Sequence, residues 1–434
     1  MHMARKIPYW SVIALLIYMP LHIFASQSLS LLTGGLEVWK VAKDVLLVIA
    51  VVFTICLVWK QGKSAKWFWW LVGLTSAYAV LHLLVWAAHP HLYQTSALLG
   101  TTYNVRVPCY AILGAGAALL NPGKFTFRSI MTVVLGISTV VATLGVLQYF
   151  LPGDLLTHVG YSVARGARPN FFIDNNPAFP RVMSTLRDPN SLGAYLLLPL
   201  GALATVWLRC KQSMRRALVL LVCLMHLAAL YLTFSRSAWA GAVVTLGLAV
   251  WWHYSSQFVR VLRKWWPVVA LAIVLLAIGL YSQRHAGIIS HTTTAQVGQY
   301  DSNEFHWIYV KRGIAGIWHQ PFGHGPGTAG LASIQNPAGG LLTENYYVQI
   351  GYEVGVLGLA LFVGLNAWLY MRVWRRHDAW TPVLLASFWA YVLMNMLLHT
   401  WSNEAVAAQW WLLAGVALAL PVARSTKQRV GHGR

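Results

Sequence analysis

Acidic residues are scarce in this sequence: Asp and Glu together number 11 among 434 residues, and charged residues of all kinds make up only 10%. A soluble globular protein carries about 25% charged residues, so this composition excludes an ordinary soluble domain. Cysteine is scarce too, and its four residues lie in or beside apolar segments: Cys56, Cys109, Cys210 and Cys223. Their spacing lacks the pairing of a metal site, so free thiols are predicted.

Long apolar runs dominate instead, because 58% of the residues are hydrophobic and the mean hydropathy is +0.57. Several runs reach the roughly 20 residues that cross a bilayer as a helix, and they are continuous rather than alternating, which excludes a membrane β-barrel. We therefore predict an all-α polytopic membrane protein, a single integral membrane domain over 1–434. Its twelve predicted spans lie near 8–26, 44–59, 67–88, 104–121, 130–151, 191–208, 217–234, 236–254, 265–282, 346–370, 380–400 and 405–423. The first run resembles a signal peptide, but its length favours an uncleaved helix.

The net charge of +21 is distributed unevenly between the two sides of this topology. Alternate connections hold 21 of the 32 Lys and Arg residues and only one acid, Asp378. Since positive residues accumulate in the cytoplasm, both termini are predicted to be cytoplasmic. The positive charge is then an orientation signal, and no nucleic-acid partner is needed to explain it.

Two long connections, 152–190 and 283–345, fall on the external side in this orientation. Long loops in compact proteins are usually functional or disordered. These two contain aromatic, Gly and Pro residues rather than low-complexity sequence, so we predict that they are ordered. The spans themselves are predicted to be nearly free of ionisable residues, with His226 and Glu353 among the few.

Two predicted helix starts on the external side carry an arginine. At the sixth span, Asp188 or Asn190 can cap the helix, and Arg187 precedes this cap. At the eighth span, Ser235 is the predicted cap and Arg236 lies in the first turn. A cation at a helix N-terminus opposes the partial positive charge there unless an anion lies between them. Free N–H groups and guanidinium groups together form a phosphate site. The alternatives are a plain helix cap at Asp188 and an arginine that reaches the lipid headgroups at Arg236.

The second long loop contains further candidate residues. Residues 305–319 predict an amphipathic helix at the membrane interface, with Trp307 on its apolar side and with Lys311 and Arg312 as additional cations. The glycines around His324 indicate a backbone with unusual torsion angles or close approaches. The loop ends in Glu344 and Asn345, followed by Tyr346.

Glu344 is the preferred general base, because it is an external carboxylate at a low-dielectric boundary. The alternative is that it only caps the tenth span, and His306 and His324 are rival bases. Burial would raise the pKa of Glu344 and nearby arginines would lower it, so the sequence alone does not fix its protonation state.

The order of these motifs resembles the superfamily of O-antigen ligases and O-antigen polymerases, and the twelve-span layout is most similar to the ligases. The resemblance covers roughly residues 181–360, through STLRDPN, TFSR, the PFGHG loop and ENYYVQIGYEVG. It implies a lipopolysaccharide-maturing glycosyltransferase of the bacterial inner membrane. Such an enzyme moves a glycan from undecaprenyl pyrophosphate to a hydroxyl of lipid A–core at the periplasmic face, without nucleotide sugar, cofactor or required metal.

The resemblance also assigns residues. Arg236 matches the Ser-Arg arginine of the family, and Arg187 lies in its Thr-Leu-x-Asp/His-Pro-Asn signature. This sequence departs from the family in two places: Glu344-Asn345 stands where His-Asn is common, and His306 stands where an arginine is frequent. Arg312 is a candidate to substitute for that arginine.

The predicted mechanism uses Arg187, Arg236 and Arg312 to stabilise the leaving diphosphate, and Glu344 to accept the proton of the acceptor hydroxyl. Trp307, Tyr346 and Tyr347 are candidates to stack on sugars. The predicted ligand-contacting set is Ser235, Lys311, Asp188, Asn190, Asn345, Tyr346, His306, His324 and Trp307.

Four alternatives stay open. A metal-assisted version would have Asp188 and Glu344 hold Mg²⁺. An O-antigen polymerase and a protein O-oligosaccharyltransferase would use the same donor with another acceptor. A transporter or flippase of lipid-linked glycans is the non-enzymatic reading, and it would need ionisable residues at mid-membrane depth.

Overall fold

The computed structural model describes residues 2–62, 65–173, 176–254 and 302–421. It is 76% helical, which confirms the all-α class. The helices are α1 (His2–Tyr18), α2 (His22–Thr33), α3 (Leu36–Lys60), α4 (Lys66–Ala87), α5 (Gln94–Leu120), α6 (Phe127–Phe150), α7 (Pro189–Arg209), α8 (Ser213–Leu232), α9 (described over 236–254), α10 (Ser302–His319), α11 (Tyr346–Trp374), α12 (Trp380–Asn395) and α13 (Glu404–Ala419).

Seven helical segments in the described ranges are long and apolar enough to cross a membrane. They are Met3–Thr33, Leu36–Lys60, Lys66–Ala87, Phe127–Phe150, Pro189–Arg209, Ser213–Leu232 and Tyr346–Trp374. The chain is therefore a multi-pass membrane protein. The total of twelve spans stays a prediction, and the predicted span 265–282 lies outside the described residues.

The first long loop contains ordered secondary structure. Its 3₁₀ turn (Leu155–Val159) is followed by an antiparallel hairpin of β1 (Phe171–Ile173) and β2 (Asn176–Arg181), in which Phe171 pairs with Arg181. After the hairpin, the N–H of Val182 donates to the carbonyl of Leu232 at the end of α8. The loop is thereby attached to the helix bundle beside the starts of α7 and α9.

Helix α5 lies at the centre of the bundle and packs against α1, α3, α4 and α13. Glycines permit the closest of these contacts. A Cβ atom on Gly114 would lie 2.2 Å from the carbonyl oxygen of Leu412, and one on Gly415 would lie 2.1 Å from that of Ala111. Small residues that let two backbones approach are typical of helix pairs in membranes.

Helix α11 is broken at Gly355, where φ is 76°. The backbone of the glycine-containing loop fills the break: the N–H of Gly325 donates to the carbonyl of Glu353 (2.9 Å), and the N–H of Val356 donates to that of Pro321 (2.9 Å). The buried Glu353 side chain completes this arrangement by accepting from the N–H of Gly327 at 2.8 Å. Irregular backbone is tolerated at membrane depth where protein groups satisfy it in this way.

A buried ion network joins α3, α5 and α13, and its four residues lie at the ends of the predicted spans or just outside them. Arg106 of α5 contacts Asp44 and Glu404 at 3.2 Å each, and Lys43 contacts Asp44 at 2.9 Å and Glu404 at 3.5 Å. Arg106 also donates to the carbonyl of Ser402 at 2.8 Å. The network contains two cations and two carboxylates, so its formal charge is balanced, and it ties α5 to the start of α13.

Replacing Arg106 with methionine is expected to destabilise the fold by about 3–5 kcal/mol, because it leaves two carboxylates with only Lys43 in a buried site. The side chain of Arg106 is only 3% exposed. The measurement is the free energy of unfolding in mixed detergent micelles. The exposed Arg375→Met is the matched control and should change that free energy by no more than about 0.5 kcal/mol. An Arg106→Met protein as stable as this control would show that the network contributes little.

Candidate active site

A buried turn places Arg187 directly before α7. Residues 182–186 are buried, and Ser184 adopts a left-handed backbone (φ 53°). The side-chain oxygen of Gln148 accepts from the N–H groups of Met183 (3.0 Å) and Ser184 (2.8 Å). Asp188 then caps α7 by accepting from the N–H of Ser191 at 2.8 Å, as its cap reading predicts. Arg187 is held half-buried at the helix start.

A similar tight turn leads into α9. Phe234 has a left-handed backbone (φ 48°), and the N–H of Ser235 donates to the side-chain oxygen of Thr233 at 3.1 Å. The carbonyl of Ser235 accepts from the N–H of Trp239, so Ser235 occupies the cap position that the sequence indicates. Arg236 is the first helical residue and is half-buried.

The starts of α7 and α9 lie side by side. A Cβ atom on Gly193 would be only 2.5 Å from the Cβ of Ala238 and 3.6 Å from that of Ser235. This close approach requires glycine at position 193. It brings two helix N-termini and two arginine-bearing turns to one place.

Arg181, which is not among the site residues predicted from the sequence, connects these two helix starts. Its Nε donates to the carbonyl of Thr233 at 2.8 Å, and a terminal guanidinium nitrogen donates to the side-chain oxygen of Asn190 at 3.1 Å. Burial lowers the pKa of Arg181, and the neighbouring charge of Arg236 lowers it further against the opposing effect of Asp188. The available signal was its position, six residues before Arg187 in the same stretch, RVMSTLRDPN.

Glu344 pairs with His306 instead of capping α11. The cap is Asn345, whose side-chain oxygen accepts from the N–H of Val348 at 3.0 Å. Glu344 has a left-handed backbone (φ 50°), which is uncommon for a residue other than glycine, and its carboxyl oxygen lies 3.3 Å from Nδ1 of His306. The alternative in which Glu344 serves only as a cap is therefore wrong.

The protonation of this pair follows from its surroundings. Burial raises the pKa of the Glu344 carboxyl to about 7. Burial, and then the charge of Arg236, lower the pKa of His306. A formal ion pair would lower the pKa of Glu344 and raise that of His306, which is the reverse of both shifts. Desolvation therefore dominates, and the contact joins an imidazole to a carboxyl group whose pKa is about 7.

His399 lies beside Thr343, the residue before Glu344, and is influenced by the charge of Arg187. It lies between α12 and α13, and its Nε2 is 3.2 Å from the side-chain oxygen of Thr343. Burial lowers the pKa of His399 to about 4, and the charges of His306 and Arg187 contribute to this shift. These contacts and charge effects join six residues, which we call the arginine–carboxyl cluster: Arg181, Arg187, Arg236, His306, Glu344 and His399.

The cations of α10 have their described contacts with aromatic rings of the same helix. Arg312 is exposed and its guanidinium lies over the ring of Tyr309 (5.7 Å), while Lys311 lies over the ring of Trp307 (5.3 Å). Trp307 is 58% exposed and Trp318 82%. An exposed aromatic surface beside cations is typical of an interfacial helix. Within the part of the chain that the structure describes, the contact given for Arg312 is with Tyr309, and the substitution of Arg312 for an arginine of the family stays a prediction.

Two other selected residues lie elsewhere. His324 stacks on Tyr352, with ring centroids 3.9 Å apart, and its described contacts belong to the break in α11 rather than to Glu344. Tyr346 is fully buried and its hydroxyl lies 3.3 Å from the side-chain oxygen of Asn104. The prediction that Tyr346 stacks on sugars is wrong, because its ring faces the core.

Asn345 also donates to the carbonyl of Met396 at 3.0 Å, which fixes the start of α11 against the end of α12. Within the described ranges, no three His, Cys, Asp or Glu side chains are grouped so that they could hold a metal ion. The cluster instead offers guanidinium groups and helix N–H groups for an anion, next to a carboxyl group that can exchange a proton near neutral pH.

Residues 221–363 match a family model described as O-antigen ligase. The matched segment includes Arg236, the glycine-containing loop and Glu344, whereas Arg187 and Arg181 precede it. No curated protein matches the chain. The family match confirms the resemblance that the order of the motifs indicates.

Proposed function

We propose that this chain, in which residues 221–363 match a family model described as O-antigen ligase, transfers an O-antigen glycan from undecaprenyl pyrophosphate to a hydroxyl of lipid A–core. The reaction takes place at the periplasmic face of the bacterial inner membrane, with both termini in the cytoplasm. One observation carries this proposal. Two arginine-bearing helix starts lie side by side, and the carboxyl group of Glu344 lies 3.3 Å from His306, which is near enough to Arg236 for its charge to act on the imidazole.

In the proposed mechanism, the diphosphate of the donor binds to Arg187 and Arg236 at the N-termini of α7 and α9. Arg181 holds the two helix starts in place through Asn190 and Thr233. When the bond between the anomeric carbon and the phosphate oxygen breaks, its electron pair moves to the diphosphate. Preplaced cations and N–H groups stabilise this developing charge, and such electrostatic stabilisation is commonly the largest catalytic effect.

Glu344 in its ionised form accepts the proton of the acceptor hydroxyl while the hydroxyl oxygen bonds to the anomeric carbon. The neighbouring His306 orients the carboxyl group through the 3.3 Å contact. Undecaprenyl pyrophosphate leaves from the opposite side of the sugar ring, so a direct displacement inverts the anomeric centre. No cofactor or metal is part of this proposal. Lys311 and Arg312, exposed on α10, interact with lipid phosphates at the interface.

The test is glycan transfer by the purified protein in detergent or vesicles that contain undecaprenyl-linked glycan and lipid A–core. A ladder of glycosylated lipid A–core, with the linkage inverted relative to the donor, is expected. Lengthening of the undecaprenyl-linked chains would instead indicate an O-antigen polymerase. Glycosylation of an added acceptor protein would indicate a protein O-oligosaccharyltransferase. Movement of the donor between leaflets without any glycosylated product would contradict an enzymatic function.

A further inference from the structure

A cavity of ≈ 240 Å³ lies between the end of α6 and the hairpin of the first long loop. Arg181 belongs to its wall, together with Gln148, Asn170, Phe171 and Phe172. Because Arg181 also bonds to the starts of α7 and α9, the cavity adjoins the arginine–carboxyl cluster. Neither the family match nor the proposed chemistry assigns a role to this cavity.

We infer that this cavity is a subsite for a sugar ring of the donor glycan, the glycan that the diphosphate carries. The inference rests on the proposed function and deepens it. The cavity is smaller than the roughly 300–1,000 Å³ of a site for a drug-sized ligand, and it combines aromatic side chains with a few polar groups. This size and lining suit a compact ring with hydroxyl groups.

The polar groups of the wall have unused hydrogen-bonding capacity. The side-chain oxygen of Gln148 is taken by two backbone N–H groups, which leaves its amide nitrogen as a donor. The side-chain nitrogen of Asn170 donates to the carbonyl of Gly153, which leaves its oxygen as an acceptor. A hydroxyl group can satisfy either one, since it both donates and accepts.

The position of the cavity favours a sugar over the polyprenyl tail. Its wall consists of the last turn of α6, the following loop and the hairpin, at the end of the bundle where α7 and α9 begin. A polyprenyl tail must extend from the diphosphate into the bilayer, along the apolar helices, whereas a glycan must extend away from it. The aromatic rings of Phe171 and Phe172 supply apolar surface for the C–H face of a sugar ring.

The test compares the binding of two probes to the full-length protein: undecaprenyl pyrophosphate that carries its glycan, and undecaprenyl pyrophosphate alone. The variants are Phe172→Ala, which removes an aromatic wall, and Asn170→Ala, a milder change at an exposed side chain. Each is expected to weaken binding of the glycan-bearing probe about tenfold and to leave binding of the bare carrier unchanged. The matched control is Phe179→Ala, in the same hairpin but outside the cavity wall and 54% exposed; it should bind both probes as the unmodified protein does.

Several results would overturn the inference. Equal affinity of the unmodified protein for both probes, or unchanged binding in both variants, would remove the sugar subsite while leaving the proposed function intact. If the variants weaken the binding of both probes equally, the cavity belongs to the lipid carrier. Failure of the unmodified protein to bind either probe would contradict the proposed function itself.

Discussion

Replacing Glu344 with glutamine is expected to lower the rate of glycan transfer about 10²–10⁴-fold, the usual range for the loss of a general base. Glutamine keeps the size of the side chain and can still contact His306, so binding of the donor should change little. The measurement is kcat together with the affinity for undecaprenyl-linked glycan. The loss should therefore fall on kcat.

The pH dependence provides a second signature of the same group. Because burial raises the pKa of Glu344 to about 7, the carboxyl group is protonated and inactive as a base in acid. The value of kcat/KM should rise about tenfold per pH unit below pH 7 and become constant above it, as the ionised form accumulates. In Glu344→Gln the remaining low rate should lack this rise.

Glu37 offers a matched control, since its carboxylate is 79% exposed and lies in the first turn of α3. Glu37→Gln should retain both the rate and the pH profile. Glu344→His is informative as well, because it introduces the His-Asn pair that is common in the family. Unchanged kcat in Glu344→Gln, or a pH profile that persists in it, would show that another group accepts the proton.

Replacing Arg187 or Arg236 with alanine is expected to lower the transfer rate about 10²–10³-fold each, as for the removal of one preorganised donor that stabilises developing charge. Both side chains are half-buried at helix starts. Arg236→Lys keeps the charge but loses the planar, two-pronged donor geometry, so it should recover only part of the rate.

The matched control for these variants is Arg168→Ala, an exposed arginine of the first long loop. It removes the same charge from the same side of the protein. A rate loss of equal size in Arg168→Ala would indicate that the arginines act through the general field of the surface. A rate close to that of the unmodified protein in Arg187→Ala or Arg236→Ala would remove that residue from the mechanism.

Local patterns in the sequence were sufficient to predict the helical class and the helix starts. The apolar runs predicted the helices because a bilayer requires continuous hydrophobic segments. The helix starts at Asp188 and Ser235 were predictable because caps are local: the cap and the groups that it satisfies lie within a few residues.

Long-range contacts could not be predicted in this way. Arg106 and its partner Glu404 are far apart in the chain, so no local spacing indicates the ion network. The roles of Arg181 and Tyr346 could not be predicted for the same reason. That of Arg181 depends on its contact with Thr233, and the burial of Tyr346 depends on how α11 faces α5. The break in α11 at Gly355 was also missed, because a glycine within an apolar run does not reveal which loop will pack against it.

Glu344 illustrates a different limit. The sequence placed it at a membrane boundary near possible arginine partners, and burial and charge then predicted opposite shifts of its pKa. The structure resolves this conflict, because desolvation is the cause of the raised pKa and its direct contact is with His306. The departure from the family motif thus concerns a pair of residues, Glu344 and His306, which contact each other.

The most direct test of the central claim is the binding of undecaprenyl pyrophosphate, without a glycan, to the unmodified protein and to Arg187→Ala and Arg236→Ala. A diphosphate held between the two guanidinium groups predicts at least tenfold weaker binding in each variant, and stronger binding of the diphosphate than of undecaprenol in the unmodified protein. Equal binding of all three proteins, or equal affinity for undecaprenol and undecaprenyl pyrophosphate, would contradict the claim.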